Sequence, residues 1–199
     1  MILEIVKCGH PVLRAKGQPI ERVTAAIRQL AANMIETMYA ADGVGLAAQQ
    51  VGHAQQLAVI DVTRAESPSE LRLAGAPVNL TDHMPLILLN PTITRAEGEQ
   101  TGPEGCLSVP EVSADIRRAA RVWIAGMNLD GQRLEIEAAG LLARALQHEI
   151  DHLNGILFMD RMDPATRASL EGKIKKIQKE TQAALKGAGK RAPALARVR

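Results

Sequence analysis

The chain reads as an α+β protein, and three observations predict that class. Helical apolar spacing occurs toward the two ends, over 23–39 and again from Gly140 onward. Between them lie short aliphatic runs broken by turn residues. An Asp130-Gly131 pair also sits between two strand-like segments, a hairpin signal.

Taken in order, Val23, Ala26, Ile27, Leu30, Met34, Ile35 and Met38 share one face of a predicted helix over 23–39. Asp42-Gly43-Val44-Gly45 ends it with a turn. Residues 57–62 and 86–89 are aliphatic runs bounded by turn residues and read as strands. Residues 63–85 are rich in Pro, Ser, Asp and Glu and are expected to form a long surface loop. Segments 121–127 and 133–138 flank Asn128-Leu129-Asp130-Gly131 and predict a hairpin. Gly140 opens a helix to about Asn154, with Gly155 as its C-cap. Asp163 followed by Pro164 starts a last helix that is expected to end near Gly187.

At 199 residues the chain suits one compact domain with a terminal extension, and 46% apolar residues suffice for a core. That core is aliphatic, because Tyr39, Trp123 and Phe158 are the only aromatics. Two cysteines, Cys8 and Cys106, are too few for a disulfide framework, so a reducing, cytoplasmic location is expected. No apolar run approaches the ~20 residues that span a bilayer, and the first residues carry no signal-peptide pattern. Net charge is +2, yet residues 167–199 hold ten Lys/Arg against Glu171 and Glu180. The division expected is an acidic body, residues 1–165, and a basic helix and tail, residues 166–199, whose partner is a polyanion.

Gln147-His148-Glu149-Ile150-Asp151-His152 contains a His-Glu-x-x-His pattern inside a predicted helix. Four residues are slightly more than one helical turn, so His148 and His152 stack on one face and can grip one metal ion. Glu149 sits one residue round, near enough to act on water without being a ligand. The pattern also arises by chance. A third histidine is missing where one zinc-protease pattern would put it, since Phe158 holds that slot. Cys106, in Glu104-Gly105-Cys106-Leu107-Ser108, offers a thiolate that would leave a fourth position open. Taken alone, Cys106 also reads as a small buried hydrophobe. Gly43-Val44-Gly45-Leu46-Ala47-Ala48-Gln49-Gln50 permits close backbone approach to a ligand and ends in amide side chains, one of which could donate to an oxyanion.

Together, in this order, the three segments resemble the signature motifs of the peptide deformylases. The likeness covers roughly residues 5–165, including Pro11-Val12-Leu13-Arg14 and Gly140-Leu141-Leu142. The resemblance implies antiparallel sheets around the helix that bears His148 and His152. It implies a metallohydrolase that removes the formyl group from N-formylmethionyl nascent peptides. Cys106, His148 and His152 would hold the metal, typically Fe(II), with Zn, Ni or Co able to replace it. Glu149 would move the proton between a metal-activated water and the leaving amine. Gln50 and the Leu107 backbone N–H would stabilise the oxyanion. Gly45 would pair with the substrate backbone, while Val44 and Leu141 would line the methionine pocket.

Asp151 reads either as a partner behind the metal site or as a solvated carboxylate. Arg118 reads either as a partner of Glu104 or as a surface arginine. His10, His53 and His83 are expected to be solvated. A peptidase acting on internal bonds and a non-catalytic RNA-binding protein are the rival readings. Intact Glu149 and Gln50 oppose the second, Cys106 and Phe158 the first. In the last helix Leu170, Ile174, Ile177 and Leu185 are apolar, and Lys173, Lys175, Lys176, Lys179 and Lys186 lie on other faces. That helix either docks on the body or contacts ribosomal RNA. Arg191, Arg197 and Arg199 follow in an end expected to be disordered.

Overall fold

A computed structural model describes residues 1–191 of the chain. The first helix, α1, is Ala25–Ala40, and the Thr24 hydroxyl caps it by accepting from the Ile27 N–H at 3.3 Å. Strands β1 (Gly45–Ala47), β2 (Leu57–Ile60), β3 (Ser69–Leu73), β4 (Ala76–Pro77) and β5 (Leu86–Glu97) follow. Next come β6 (Gln100–Cys106), β7 (Val109–Arg118), β8 (Arg121–Met127) and β9 (Arg133–Gly140). Helix α2 is Leu141–Leu153 and helix α3 is Pro164–Arg191. Seven strands form one antiparallel sheet in the order β1-β2-β5-β8-β9-β3-β4, and β6 and β7 form a separate hairpin.

Helix α2 lies inside this frame, and every residue from Leu142 to Leu153 is buried. Leu142, Leu146, Ile150 and Leu153 pack with Ala58, Ile60, Leu88, Ile124 and Ile136 of the large sheet. On the other side of the sheet's β1–β2–β5 end, Leu30, Met34 and Met38 of α1 pack with Leu46, Leu57, Val59 and Leu89. A third cluster joins Leu13, Val112, Ile116 and Phe158 to Ile174 of α3. The α+β class and the helix encircled by antiparallel sheets are as expected.

Residues 63–85 are not the expected surface loop. They contain β3 and β4, and β3 pairs with β9 from Ser69↔Gly140 to Leu73↔Ile136. Partial exposure explains the polar composition: β3 lies between β9 and the two-residue edge strand β4, and only its Leu71 is buried, opposite Ala138, so the run lacks the aliphatic density of a fully covered strand. Strand β5 also runs on past Leu89. Asn90, at φ 51°, and Pro91 look like a stop, but the ladder absorbs them as an irregularity and resumes at Thr92. The hairpin forms as predicted, and Asn128 Oδ1 closes its turn by accepting from the Asp130 and Gln132 N–H groups at 2.9 Å each.

The β3 segment fixes the start of α2. The Leu141 N–H donates to Pro68 O at 3.0 Å and the Leu142 N–H to Ser69 Oγ at 3.1 Å, satisfying two donors of the first turn. Gly140 makes this approach with φ 68° and ψ −139°, a region nearly confined to glycine. A Cβ there would lie 2.2 Å from Pro68 O.

Helix α3 begins with Asp163 Oδ1 accepting from the Ala165 and Thr166 N–H groups at 3.0 Å each, as its sequence predicts. It passes the expected end at Gly187 and continues to Arg191; an interior glycine costs a helix only ~1 kcal/mol, and the next proline is Pro193. Its first half docks: Ile174 is buried, Leu170 and Ile177 pack beside it, and Gly9 lies against the backbone of Gln178. From Lys179 to Gly187 it is exposed apart from half-buried Thr181. Arg197 and Arg199 lie outside the described residues. Among the described residues no helix is long and apolar enough to cross a membrane.

Gly140→Ala is expected to destabilise the fold by at least ~2 kcal/mol through strain and the Pro68 clash. A urea titration checks this, and an unchanged midpoint contradicts the assigned role of Gly140.

Candidate metal centre

Two elements bring three donors together. Helix α2 presents His148 and His152, whose ring centroids lie 4.9 Å apart. The end of β6 presents Cys106, whose Sγ lies 3.2 Å from His152 Nε2. One donor atom from each of the three lies within 4.8 Å of the others, a spacing that suits one shared divalent ion bonded at ~2.0–2.3 Å. The chemistry fits as well, since a thiolate and two imidazoles are metal donors of graded softness. The Phe158 ring, 6.1 Å from that of His148, belongs to the apolar wall and replaces no ligand.

Glu104 sets the orientation of His148. Its side chain is 4% exposed and faces His148 Nδ1 at 3.0 Å, which leaves Nε2 for the Cys106 side. Arg118 grips both Glu104 oxygens, from Nε at 2.9 Å and Nη2 at 3.0 Å, and Arg144 Nη1 adds a third guanidinium bond at 2.8 Å. Arg118 Nη1 also donates to Asp151, which Arg161 holds at 2.7 and 3.1 Å. Arg118 is therefore the partner of Glu104, and Asp151 is a buried member of the same network rather than a solvated carboxylate.

The two imidazoles sit in opposite electrostatic environments. Burial alone would lower the His148 pKa, but Cys106, Glu104 and Glu149 outweigh it and hold the value well above the usual range. Burial pushes His152 well below its ordinary value, and the charge of His148 adds to this. Burial would raise Glu104, yet His148 and Arg118 prevail and bring it to about 2. It is a permanent anion at neutral pH.

Glu149 has the opposite environment. Burial pushes its carboxyl up to about 7. Its Oε2 is buried without a hydrogen-bond partner. Gly45 of β1 packs directly on it: a Cβ at Gly45 would lie 2.3 Å from Glu149 Oε1. Gln50 turns its amide by accepting from the Ala47 N–H at 2.8 Å, which leaves Nε2 facing Cys106 Sγ at 3.6 Å.

A cleft of about 730 Å³ opens over these groups. Val44, Gly45, Gln50, Cys106, Leu107, Leu141, His148 and Glu149 all line it, and buried His152 lies close by. All nine expected site residues thus belong to one constellation. Sequence reasoning missed Arg144, which lines the cleft and holds Glu104, and Lys7, whose Nζ donates to Leu107 O at 2.9 Å. A charged residue one turn before His148, amid small and aliphatic neighbours, was the available signal for Arg144. His53 and His83 are exposed, and His10 Nδ1 accepts from the Val12 N–H at 3.2 Å.

Comparison with known proteins identifies the family. The sequence model of the polypeptide deformylase family matches residues 2–168. A peptide deformylase of Methylacidiphilum infernorum is 41% identical over 179 residues, covering 90% of this chain and 94% of the relative. One from Syntrophobacter fumaroxidans is 44% identical over 182 residues, covering 92% and 99%. The crystal structure of the peptide deformylase from Thermus thermophilus aligns with a TM-score of 0.77 at 36% identity, covering 90% of this chain and 99% of that one. The chain belongs to the peptide deformylases, metal-dependent hydrolases that remove the N-formyl group from nascent polypeptides.

Proposed function

We propose that Cys106, His148 and His152 hold the catalytic metal and that Glu149 carries the proton of the deformylation. The observation that carries this reading is the convergence of three donors beside a buried carboxylate with an unpartnered oxygen. When bound, the ion supplies a Lewis acid that activates water and polarises the formyl carbonyl. Fe(II) is the proposed ion; Zn, Ni or Co can replace it, because one thiolate and two imidazoles suit several first-row metals.

The chain's own groups divide the remaining work. Glu149, poised near neutrality by burial, takes a proton from water and gives it to the leaving amine. Gln50 Nε2 and the Leu107 backbone N–H donate to the oxyanion that develops on the formyl oxygen. Gly45 pairs with the substrate backbone in the manner of a strand, and Val44 and Leu141 line the pocket for the methionine side chain. Gly45 has a second task, since any side chain there would displace the Glu149 carboxylate.

The test is anaerobic purification, then metal analysis and turnover of a formyl-Met peptide on the same sample. Glu149→Ala should keep its metal and lose about 10²–10⁴-fold in turnover, whereas Cys106→Ser should lose the metal. A metal-free Glu149→Ala protein, or a fully loaded and active Cys106→Ser protein, contradicts the assignment. An unformylated peptide in parallel exposes any cleavage of internal bonds. Gly45→Ala should also retain metal while turnover falls about 10²-fold, the cost of a misplaced reacting group. Wild-type turnover in that variant would remove the second role of Gly45.

We further propose a cytoplasmic enzyme of two parts, a catalytic body at 1–165 and a basic arm at 166–199 that contacts ribosomal RNA. Docking of Ile174 accounts for the first half of α3, and the exposed lysines beyond Gln178 remain for a polyanion. Tethering near emerging chains would raise the effective substrate concentration. A cut after Gln178 separates the roles without uncovering the core. It should leave short-peptide turnover intact and weaken co-sedimentation with ribosomes. Full-length co-sedimentation should fade as salt rises. Equal sedimentation of both forms, or indifference to salt, rejects the arm.

A further inference from the structure

We propose that Arg144 is a positioning residue for the metal centre, fixing the His148 ring through Glu104. The inference rests on the reading of His148 as a metal ligand. Arg144 leaves α2 one turn before His148, with its side chain 8% exposed. An apolar residue would fill this place at lower cost, since a buried guanidinium must recover its lost hydration. Arg144 does so with an organised set of acceptors. Nη1 donates to Glu104 Oε1 at 2.8 Å, to Ile116 O at 2.9 Å and to Gly102 O at 3.2 Å, and Nη2 donates to Gln100 O at 3.3 Å.

The division of Glu104 between its partners gives Arg144 its role. Oε1 is shared by Arg118 Nε and Arg144 Nη1, and Oε2 by Arg118 Nη2 and His148 Nδ1. Arg118 reaches the carboxylate from β7. Arg144 reaches it from α2, the helix that carries His148. Glu104 is therefore tied to α2 at two points four residues apart, so the ring and its acceptor are referenced to one rigid element. The arrangement commits His148 Nδ1 as donor and reserves Nε2 for the metal. Such outer partners typically alter metal affinity or activity by about 10- to 100-fold.

The experiment compares cobalt-loaded wild type with Arg144→Met, Arg144→Lys, Glu104→Gln and the Arg144→Met/Glu104→Gln double variant. Four quantities are read: the rate of cobalt loss to a chelator, the visible cobalt spectrum, kcat with KM for a formyl-Met peptide, and thermal stability. Arg144→Met should lose cobalt about 10- to 100-fold faster, with an altered spectrum and a fall in kcat larger than any rise in KM. Arg144→Lys, which keeps the charge but not the fork, should fall between it and wild type. It also carries the test if Arg144→Met does not fold. In the Glu104→Gln background, Arg144→Met should add little. Wild-type cobalt retention and spectrum in the folded variant overturn the proposal, as does a full additional effect in the Glu104→Gln background, the mark of a purely structural residue. If Cys106→Ser keeps its cobalt with an unchanged spectrum, the metal reading itself fails and the proposal falls with it. Failure confined to the Arg144 series leaves that reading standing.

Discussion

Six of the twelve consecutive buried residues of α2 are polar or charged: Arg144, Gln147, His148, Glu149, Asp151 and His152. Such a helix is stable inside a sheet only if each group finds a partner, because an unpaired buried charge costs several kcal/mol. Much of the fold supplies those partners. The β6–β7 hairpin brings Glu104 and Arg118 to one side, Ala119 takes both ends of the Gln147 amide, and Arg161 closes on Asp151. Two atoms of this helix remain unpaired: His152 Nδ1 and Glu149 Oε2 are buried without partners among the described residues.

Two carboxylates in one site are thereby driven apart. Glu104, held by two guanidiniums and the His148 ring, stays ionised down to about pH 2. Glu149, buried with the Gly45 backbone against it, titrates near 7. The sign for stability follows. A carboxylate whose folded pKa lies below its ordinary 4.5 contributes stability above about that pH, and loses it as pH falls toward 2. Glu104 thus anchors the fold at neutral pH, while burial leaves Glu149 poised near neutrality, as the proposed proton carrier requires.

The parts of the site that were legible in the sequence are those whose chemistry is local. The spacing of His148 and His152 follows from the helical repeat alone, and Glu149 from its place between them. Cys106 was ambiguous by itself, because nothing local distinguishes a ligand thiolate from a buried hydrophobe; the resemblance carried it. Strands β6 and β7 were not legible, since Gly102, Pro103 and Gly105 read as turn residues and the hairpin's value lies in what it holds. Strand β3 was hidden by its partial exposure near the sheet's edge, and with it the cap that starts α2 at Pro68 and Ser69. Arg144 acts only through a residue forty positions away, a contact no periodicity reveals.

The central claim is that one thiolate and two imidazoles from distant parts of the chain share a single ion. X-ray absorption at the metal edge of the anaerobically purified wild-type protein tests it most directly. The account predicts one sulfur scatterer at ~2.3 Å and two imidazole nitrogens at ~2.0–2.1 Å, the distances of a zinc-like site, with the fourth position held by oxygen. A shell without sulfur, or one built from oxygen alone, would contradict it.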